Sequence, residues 1–161
     1  MQIRHAKLSD AEKIAQLEAA SFPAAEAATP ESIKDRVEKY GNHFWLLIDD
    51  EGEISAFVNG LVTNKDTLED EMYEDAASHD ENGDWQMIFS VVTDPEKRHR
   101  GYAKKCLEAA IQDAKDQGRK GLVLTCKDHL VGFYGQFGFE NEGFTGSTHG
   151  GVDWNQMRLT F

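Results

Sequence analysis

The feature that most constrains this chain is one passage in its second half. Trp85 to Thr93 is the longest continuous β-forming run and reads as a central, buried strand. A tight turn with Pro95 follows, then Arg98-His99-Arg100-Gly101-Tyr102-Ala103, then a helical pattern. Ala103, Cys106, Leu107, Ala110, Ile111 and Ala114 recur at helical spacing up to Gln117, and Gly118 supplies a stop. Leu122 to Cys126 is a second strand. Asp128 is positioned to cap a helix carrying Leu130, Phe133, Tyr134 and Phe137 on one face, ended by Gly138.

The rest of the chain fits around this unit. Ile3 to Ala6 reads as a short strand, and Ser9 with Glu12 as the capping box of a helix over 9–20. A loop from Phe22 to Ala28 leads to Thr29, which caps a helix with Pro30 at its first position and Ile33, Val37 and Tyr40 on one side. His43 to Ile48 and Ile54 to Val62 form a hairpin across Asp49-Asp50-Glu51-Gly52. An acidic stretch, partly helical over Leu68 to Asp75, precedes the central strand. Phe139 to Thr145 and Trp154 to Phe161 close the chain around a connection from Gly146 to Gly151. The order β-α-α-β-β, acidic insert, β-α-β-α-β-β describes one α/β domain over residues 1–161, a mixed sheet with helices on its faces.

Net charge is -12. Such a surface repels nucleic acid and anionic lipid and attracts cations at long range. The charge is uneven: Asp66 to Asp84 holds nine carboxylates and no Lys or Arg, whereas Lys97, Arg98, Arg100, Lys104 and Lys105 cluster. The acidic run reads first as a solvated loop or helix face. No stretch reaches the roughly 20 apolar residues of a membrane span, and no signal peptide is evident, so a cytoplasmic location is expected. Cys106 and Cys126 sit in apolar runs and read as small core residues.

The chemistry concentrates at the basic cluster. A helix N-terminus presents unpaired N–H groups and about half a positive charge. Gly101 lets a bulky anion approach the backbone, and Arg98 and Arg100 add fixed charge, so a pyrophosphate is a suitable guest.

Arg98-His99-Arg100-Gly101-Tyr102-Ala103 resembles the Q/R-x-x-G-x-G/A motif of the GNAT acetyltransferases, and Phe133-Tyr134-Gly135-Gln136-Phe137-Gly138-Phe139 resembles their FY-x-x-x-GF segment. Within that superfamily, Leu124 to Tyr134 is similar to the strand-to-helix passage of arylalkylamine (serotonin) N-acetyltransferases. The resemblance implies a single-domain GNAT fold, a mixed and mostly antiparallel sheet with a splayed parallel strand pair and flanking helices. It implies acetyl-CoA as cosubstrate, its pantetheine arm on the main chain of Val91, Val92 and Thr93. The pyrophosphate would rest on the amides of His99, Arg100, Gly101, Tyr102, Ala103 and Lys104, with Arg98 beside them. Tyr134 matches the tyrosine that protonates the leaving thiolate. The implied acceptor is a small, hydrophobic or arylalkyl primary amine in a pocket drawn from Phe22, Glu26, Asp84, Met87, Phe89 and Thr125. A homodimer through the last strands is part of the same likeness.

One departure stands out. The two strand histidines of the animal serotonin enzymes are replaced by Met87 and Phe89, neither of which titrates. Asp84, Glu26 or a water chain then has to take the ammonium proton. The replacement also leaves open a non-catalytic CoA-binding sensor, and an acetyltransferase of protein N-termini or lysines is a third reading. No metal is expected. Asp80-Glu81-Asn82-Gly83-Asp84 puts Trp85 where a calcium loop needs glycine, and the six histidines show no ligand spacing.

Overall fold

The computed structural model describes residues 1–147 and 149–161. In chain order these form β1 (Gln2–Arg4), α1 (Ala11–Ser21), α2 (Pro30–Tyr40), β2 (Phe44–Ile48), β3 (Ile54–Asn59), β4 (Val62–Thr63), α3 (Glu71–Glu74), β5 (Trp85–Ile88), β6 (Ser90–Thr93), α4 (Tyr102–Asp116), β7 (Gly121–Cys126), α5 (Val131–Gly135), β8 (Glu140–Phe144) and β9 (Asn155–Thr160). The strands make two sheets, ordered β1-β2-β3-β6 and β4-β5-β7-β9-β8. Among the described residues only β5 and β7 pair in parallel. The connection expected from Gly146 to Gly151 contains residue 148, which lies outside the described residues.

Two runs that read as single strands are each divided between the sheets. The run from Ile54 breaks at Gly60–Leu61, and the run from Trp85 breaks at Phe89. The breaks lie side by side: Met87 N–H donates to Leu61 O at 2.8 Å and Phe89 N–H to Asn59 O at 2.7 Å. A Cβ on Gly60 would stand 1.8 Å from Met87 O, so only glycine admits this approach. Alternation of apolar residues conceals such a break, because both halves remain buried.

The sheets are covered on both faces. Phe44 and Leu46 of β2 point into a core with Ile14, Ile33, Tyr40 and Phe57 beneath α1 and α2. Trp45 and Leu47 point the other way, to Cys106, Leu107, Leu122 and Leu124 beneath α4. Thr29 caps α2 as expected, accepting from Ser32 N–H at 3.1 Å, with Pro30 behind it. Two other caps differ. A 3-10 turn over Leu8–Asp10 precedes α1, and Asp10 rather than Ser9 satisfies the free amide, accepting from Lys7 N–H at 2.8 Å. Asp128 accepts from Asn155 Nδ2 instead of capping a helix, so a 3-10 turn leads into the short α5.

The acidic stretch is more than a solvated face. Glu81 takes hydrogen bonds from His43 Nε2 at 2.9 Å, from Asn42 and from His79, and lies 3.3 Å from Arg119. Val62 N–H donates to His79 Nδ1 at 3.0 Å, which leaves the proton of a neutral ring on Nε2, facing Glu81. His43, His79 and Glu81 thus converge although their spacing hid it. No helix among the described residues is long and apolar enough to cross a membrane.

Two predictions follow from this packing. Gly60→Ala should lower unfolding stability by about 3 kcal/mol, whereas Gly132→Ala, in open space within α5, should be neutral or stabilise by up to about 1 kcal/mol. Thermal melts of the two variants check both. For Glu81, burial opposes ionisation, but the bonds from His43, Asn42 and His79 hold its carboxyl down at about 2. A depressed carboxylate stabilises the fold above its unfolded pKa and loses that effect as pH falls, here from 4.5 to about 2. Glu81→Gln should therefore flatten the stability profile in that window, as urea titrations at stepped pH would show.

Candidate functional site

The break at Phe89 opens a cavity of about 530 Å³. Parallel pairing of β5 with β7 ends at Ile88 and Leu124, while β6 is paired antiparallel with β3. Asp94 N–H donates to Ser55 O at 2.8 Å. Alternation along an antiparallel ladder then turns the Val92 amide toward β3 and those of Val91 and Thr93 toward the open edge. The cavity lies along this edge, walled by Ile88 to Val91, by Leu124 to Lys127 of the diverging strand, and by the Phe22 to Thr29 segment.

Of the residues expected at the site, Phe22, Glu26, Phe89, Val91, Thr125 and Tyr134 come together on this wall. Two expected contacts do not. Met87 is fully buried in the core under α1 and α2, because the strand's alternation turns it inward before the break. Asp84 sits at the far end of β5 in a separate surface depression, 3.3 Å from Lys120. Val92 packs its side chain in the core, as expected, but turns its amide to β3, and Thr93 lies further along the edge.

Arg98 to Gly101 form the turn into α4 and Tyr102 to Lys104 its first residues, none of them lining the cavity. Gly101 is left-handed at φ 74° and offers no side-chain cap, so the first amides of α4 keep their donors. His99 is also left-handed, at φ 67°, which costs a non-glycine residue about 1 kcal/mol. Lys97 leaves the basic cluster: its Nζ is 2.8 Å from Asp49 and 3.4 Å from Glu53.

Glu18 was not foreseen. It lies on the inner stripe of α1 with Ala11, Ile14 and Ala15, only 3% exposed, and it lines the cavity. Its Oε2 accepts from Ala28 N–H at 3.0 Å and its Oε1 from Ser90 Oγ at 2.8 Å. Burial raises its pKa; the two hydrogen bonds and the Arg36 guanidinium oppose that. The sequence did hold a signal, since a glutamate seven residues after Ala11 and four after Ile14 falls on an apolar helical stripe.

The remaining polar groups are tightly placed. Glu26 pairs with Lys127 at 2.9 Å. Arg36 donates to Tyr73 O at 2.7 Å and to Asn59 Oδ1, and its guanidinium covers the Phe89 ring at 4.9 Å. Tyr73 Oη is 2.9 Å from Thr125 Oγ1, and its ring stacks on His149 with centroids 5.6 Å apart. Burial pushes the Tyr73 hydroxyl up to about 12 and raises Tyr134 beyond the ordinary phenol value.

Residues 11–139 match the acetyltransferase (GNAT) family. The chain belongs to the acetyltransferase (GNAT) family. It is accordingly an acyltransferase with acetyl-CoA as cosubstrate. Solved structures of similar fold include GphF, a GNAT-like decarboxylase in complex with isobutyryl-CoA, at TM-score 0.85 and 19% identity over 99% of each chain. The loading GNATL domain of CurA from Lyngbya majuscula superposes at TM-score 0.83 and 16% identity, over 99% of this chain and 96% of that one. A ribosomal-protein-alanine N-acetyltransferase from Brucella melitensis does so at 0.73 and 15%, over 100% of both. No curated protein matches by sequence.

The cysteines of this GNAT chain are poor nucleophiles. Burial pushes Cys106 up to about 12 and Cys126 up to about 11. Iodoacetamide at pH 8 should label neither thiol in the native state, and labelling followed by mass spectrometry should track unfolding instead. Cys126→Ala should retain acyl transfer within about threefold, because a buried thiol of raised pKa is a poor nucleophile.

Proposed function

We propose that this GNAT enzyme transfers the acetyl group of acetyl-CoA directly to the primary amine of a small, hydrophobic or arylalkyl amine. The carrying observation is the cavity itself. It abuts the open edge of β6, its walls include Phe22, Phe89, Tyr73 and Trp154, and it contains the buried carboxylate Glu18. Aromatic faces hold both an apolar body and a cationic head, and a desolvated carboxylate favours an ammonium.

In this reading the pyrophosphate lies on the α4 turn, over the amides from His99 to Lys104, with Arg98 and Arg100 beside it. The pantetheine amides pair with the outward main-chain groups of Val91 and Thr93. One of those N–H groups, at Val91, meets the oxyanion that develops on the acetyl carbonyl. Tyr134 faces the departing sulfur. A free thiol ionises near 8.5, so complete proton transfer from a buried phenol of raised pKa runs uphill. Its chief contribution is a hydrogen bond to the developing thiolate.

A second reading is favoured by two cationic side chains on the same wall, Arg36, whose hydrogen-bond partners are neutral, and Lys127, which a substrate carboxylate would have to share with Glu26. They suit an acyl group that itself bears a carboxylate, lost as carbon dioxide, an activity in keeping with the decarboxylase name of one structural relative.

Thiol release from acetyl-CoA against a panel of arylalkylamines, alkylamines, amino acids and peptides tests the first reading. Turnover with the hydrophobic amines is expected. Carbon dioxide release from a carboxylated acyl-CoA, with the thioester retained, a proton replacing the lost carboxylate and no amine required, would support the second. Tyr134→Phe should lower kcat about 10²-fold and leave acetyl-CoA affinity by calorimetry within about twofold; unchanged turnover removes Tyr134 from the mechanism.

A further inference from the structure

The amine reading leaves one chemical requirement unmet. An alkylammonium has no lone pair, so a proton must leave it before nitrogen attacks the thioester. Asp84 is outside the cavity and Glu26 is bound to Lys127. His149 stacks its ring on Tyr73.

We propose that Glu18, reached through the Ser90 hydroxyl, accepts the ammonium proton. Ser90 is the first residue of β6, at the head of the open edge, and it lines the cavity beside Val91. Its Oγ–H donates to Glu18 Oε1 at 2.8 Å, which leaves the lone pairs of Oγ as acceptors. Ala28 N–H holds the other oxygen of Glu18 at 3.0 Å, so the carboxylate is aimed and cannot swing away. The charged or titratable groups that act on it are Arg36 of α2 and Tyr73 of α3. Burial raises the basicity of Glu18 toward that of a working base, and the bonds from Ala28 and Ser90, with the Arg36 charge, oppose the rise.

The proton balance closes. An N–H bond of the ammonium breaks and its electron pair stays on nitrogen. The proton joins Ser90 Oγ as the serine's own proton moves to Glu18 Oε1. The neutral amine then forms the C–N bond, the C–S bond breaks with its electrons on sulfur, and a second nitrogen proton follows the thiolate. Glu18 returns its proton to solvent after the products leave. The residue acts on the acceptor alone and does not touch the cosubstrate.

This inference rests on the amine reading, and the test separates the two. Wild type, Glu18→Gln, Glu18→Asp and Ser90→Ala are assayed from pH 5.5 to 9.5 with a phenylalkylamine, and with an arylamine that is already neutral. Glu18→Gln should lose about 10²- to 10⁴-fold in kcat with the alkylamine at pH 7, and should lose the acid limb of kcat/KM. With the arylamine the loss should stay under about tenfold, and Glu18→Asp should restore part of the alkylamine rate. Ser90→Ala should show the same acceptor dependence at smaller amplitude. Acetyl-CoA affinity and melting temperature serve as controls for folding. Equal losses with both acceptors, or an unshifted acid limb, would overturn the role of Glu18 and leave the amine reading standing. A wild-type protein that binds acetyl-CoA but acetylates neither acceptor overturns both.

Discussion

The structure depends on the point where one strand changes sheets. A strand has two edges, and β6 gives one of them to β3. β7 has already diverged after Leu124. The remaining edge of β6 therefore carries main-chain donors and acceptors into a cavity rather than into a ladder. Unpaired backbone groups removed from water cost roughly 1–3 kcal/mol each, so such an edge calls for a ligand that pairs like a strand. A pantetheine chain, with its own amides, has that character. Gly60 is the enabling residue, because any side chain there would collide with the main chain at Met87 and push the two crossings apart.

Charge is arranged around this edge in opposite senses. Inside, Glu18 and Arg36 share a desolvated wall, and each is fixed by hydrogen bonds to backbone or to a neighbouring side chain. A buried charge with defined partners does not reorganise when a ligand arrives, which is what a proton acceptor or a cation-binding wall requires. The acidic insert is tied down in the same manner. Glu81 gathers His43, His79 and Asn42, and Arg119 reaches both Glu81 and the Gly83 carbonyl. The insert thereby places Tyr73 against Thr125 and Phe89, and a stretch that reads as solvated acid becomes a cavity wall.

The sequence was most informative where periodicity and caps are local. The α2 cap at Thr29 and the stripe of α4 follow from spacing alone. Family membership was legible in two motifs, at Arg98–Ala103 and Phe133–Phe139, because each encodes a backbone geometry. What was not legible depends on long-range contact. Nothing local shows that Trp85–Thr93 is two strands, since a residue at a sheet crossing is as apolar as one within a sheet. Met87 and Asp84 were assigned to the pocket by their place on that strand, but one faces the core and the other lies at the wrong end. Glu18 is hidden for the opposite reason: it sits on an otherwise apolar stripe, and its partners, Ala28 and Ser90, are 10 and 72 residues away.

The basic cluster shows how a fold edits a charge run. Lys97 is withdrawn into a network with Asp49, Glu53 and Ser55, which fastens the foot of the turn to the β2–β3 hairpin. Arg98 and Arg100 remain exposed above amides that no side chain caps. A body of net charge -12 then carries exposed cations at the start of α4 and carboxylates, Glu18, Glu26 and Glu74, on the cavity wall. At each place a ligand of opposite charge is attracted at long range. Both attractions are screened over about 8 Å at physiological salt, so they act on encounter and orientation. Short-range contacts, such as the hydrogen bonds of Glu18 and the pairing of β6, are reached by salt far less.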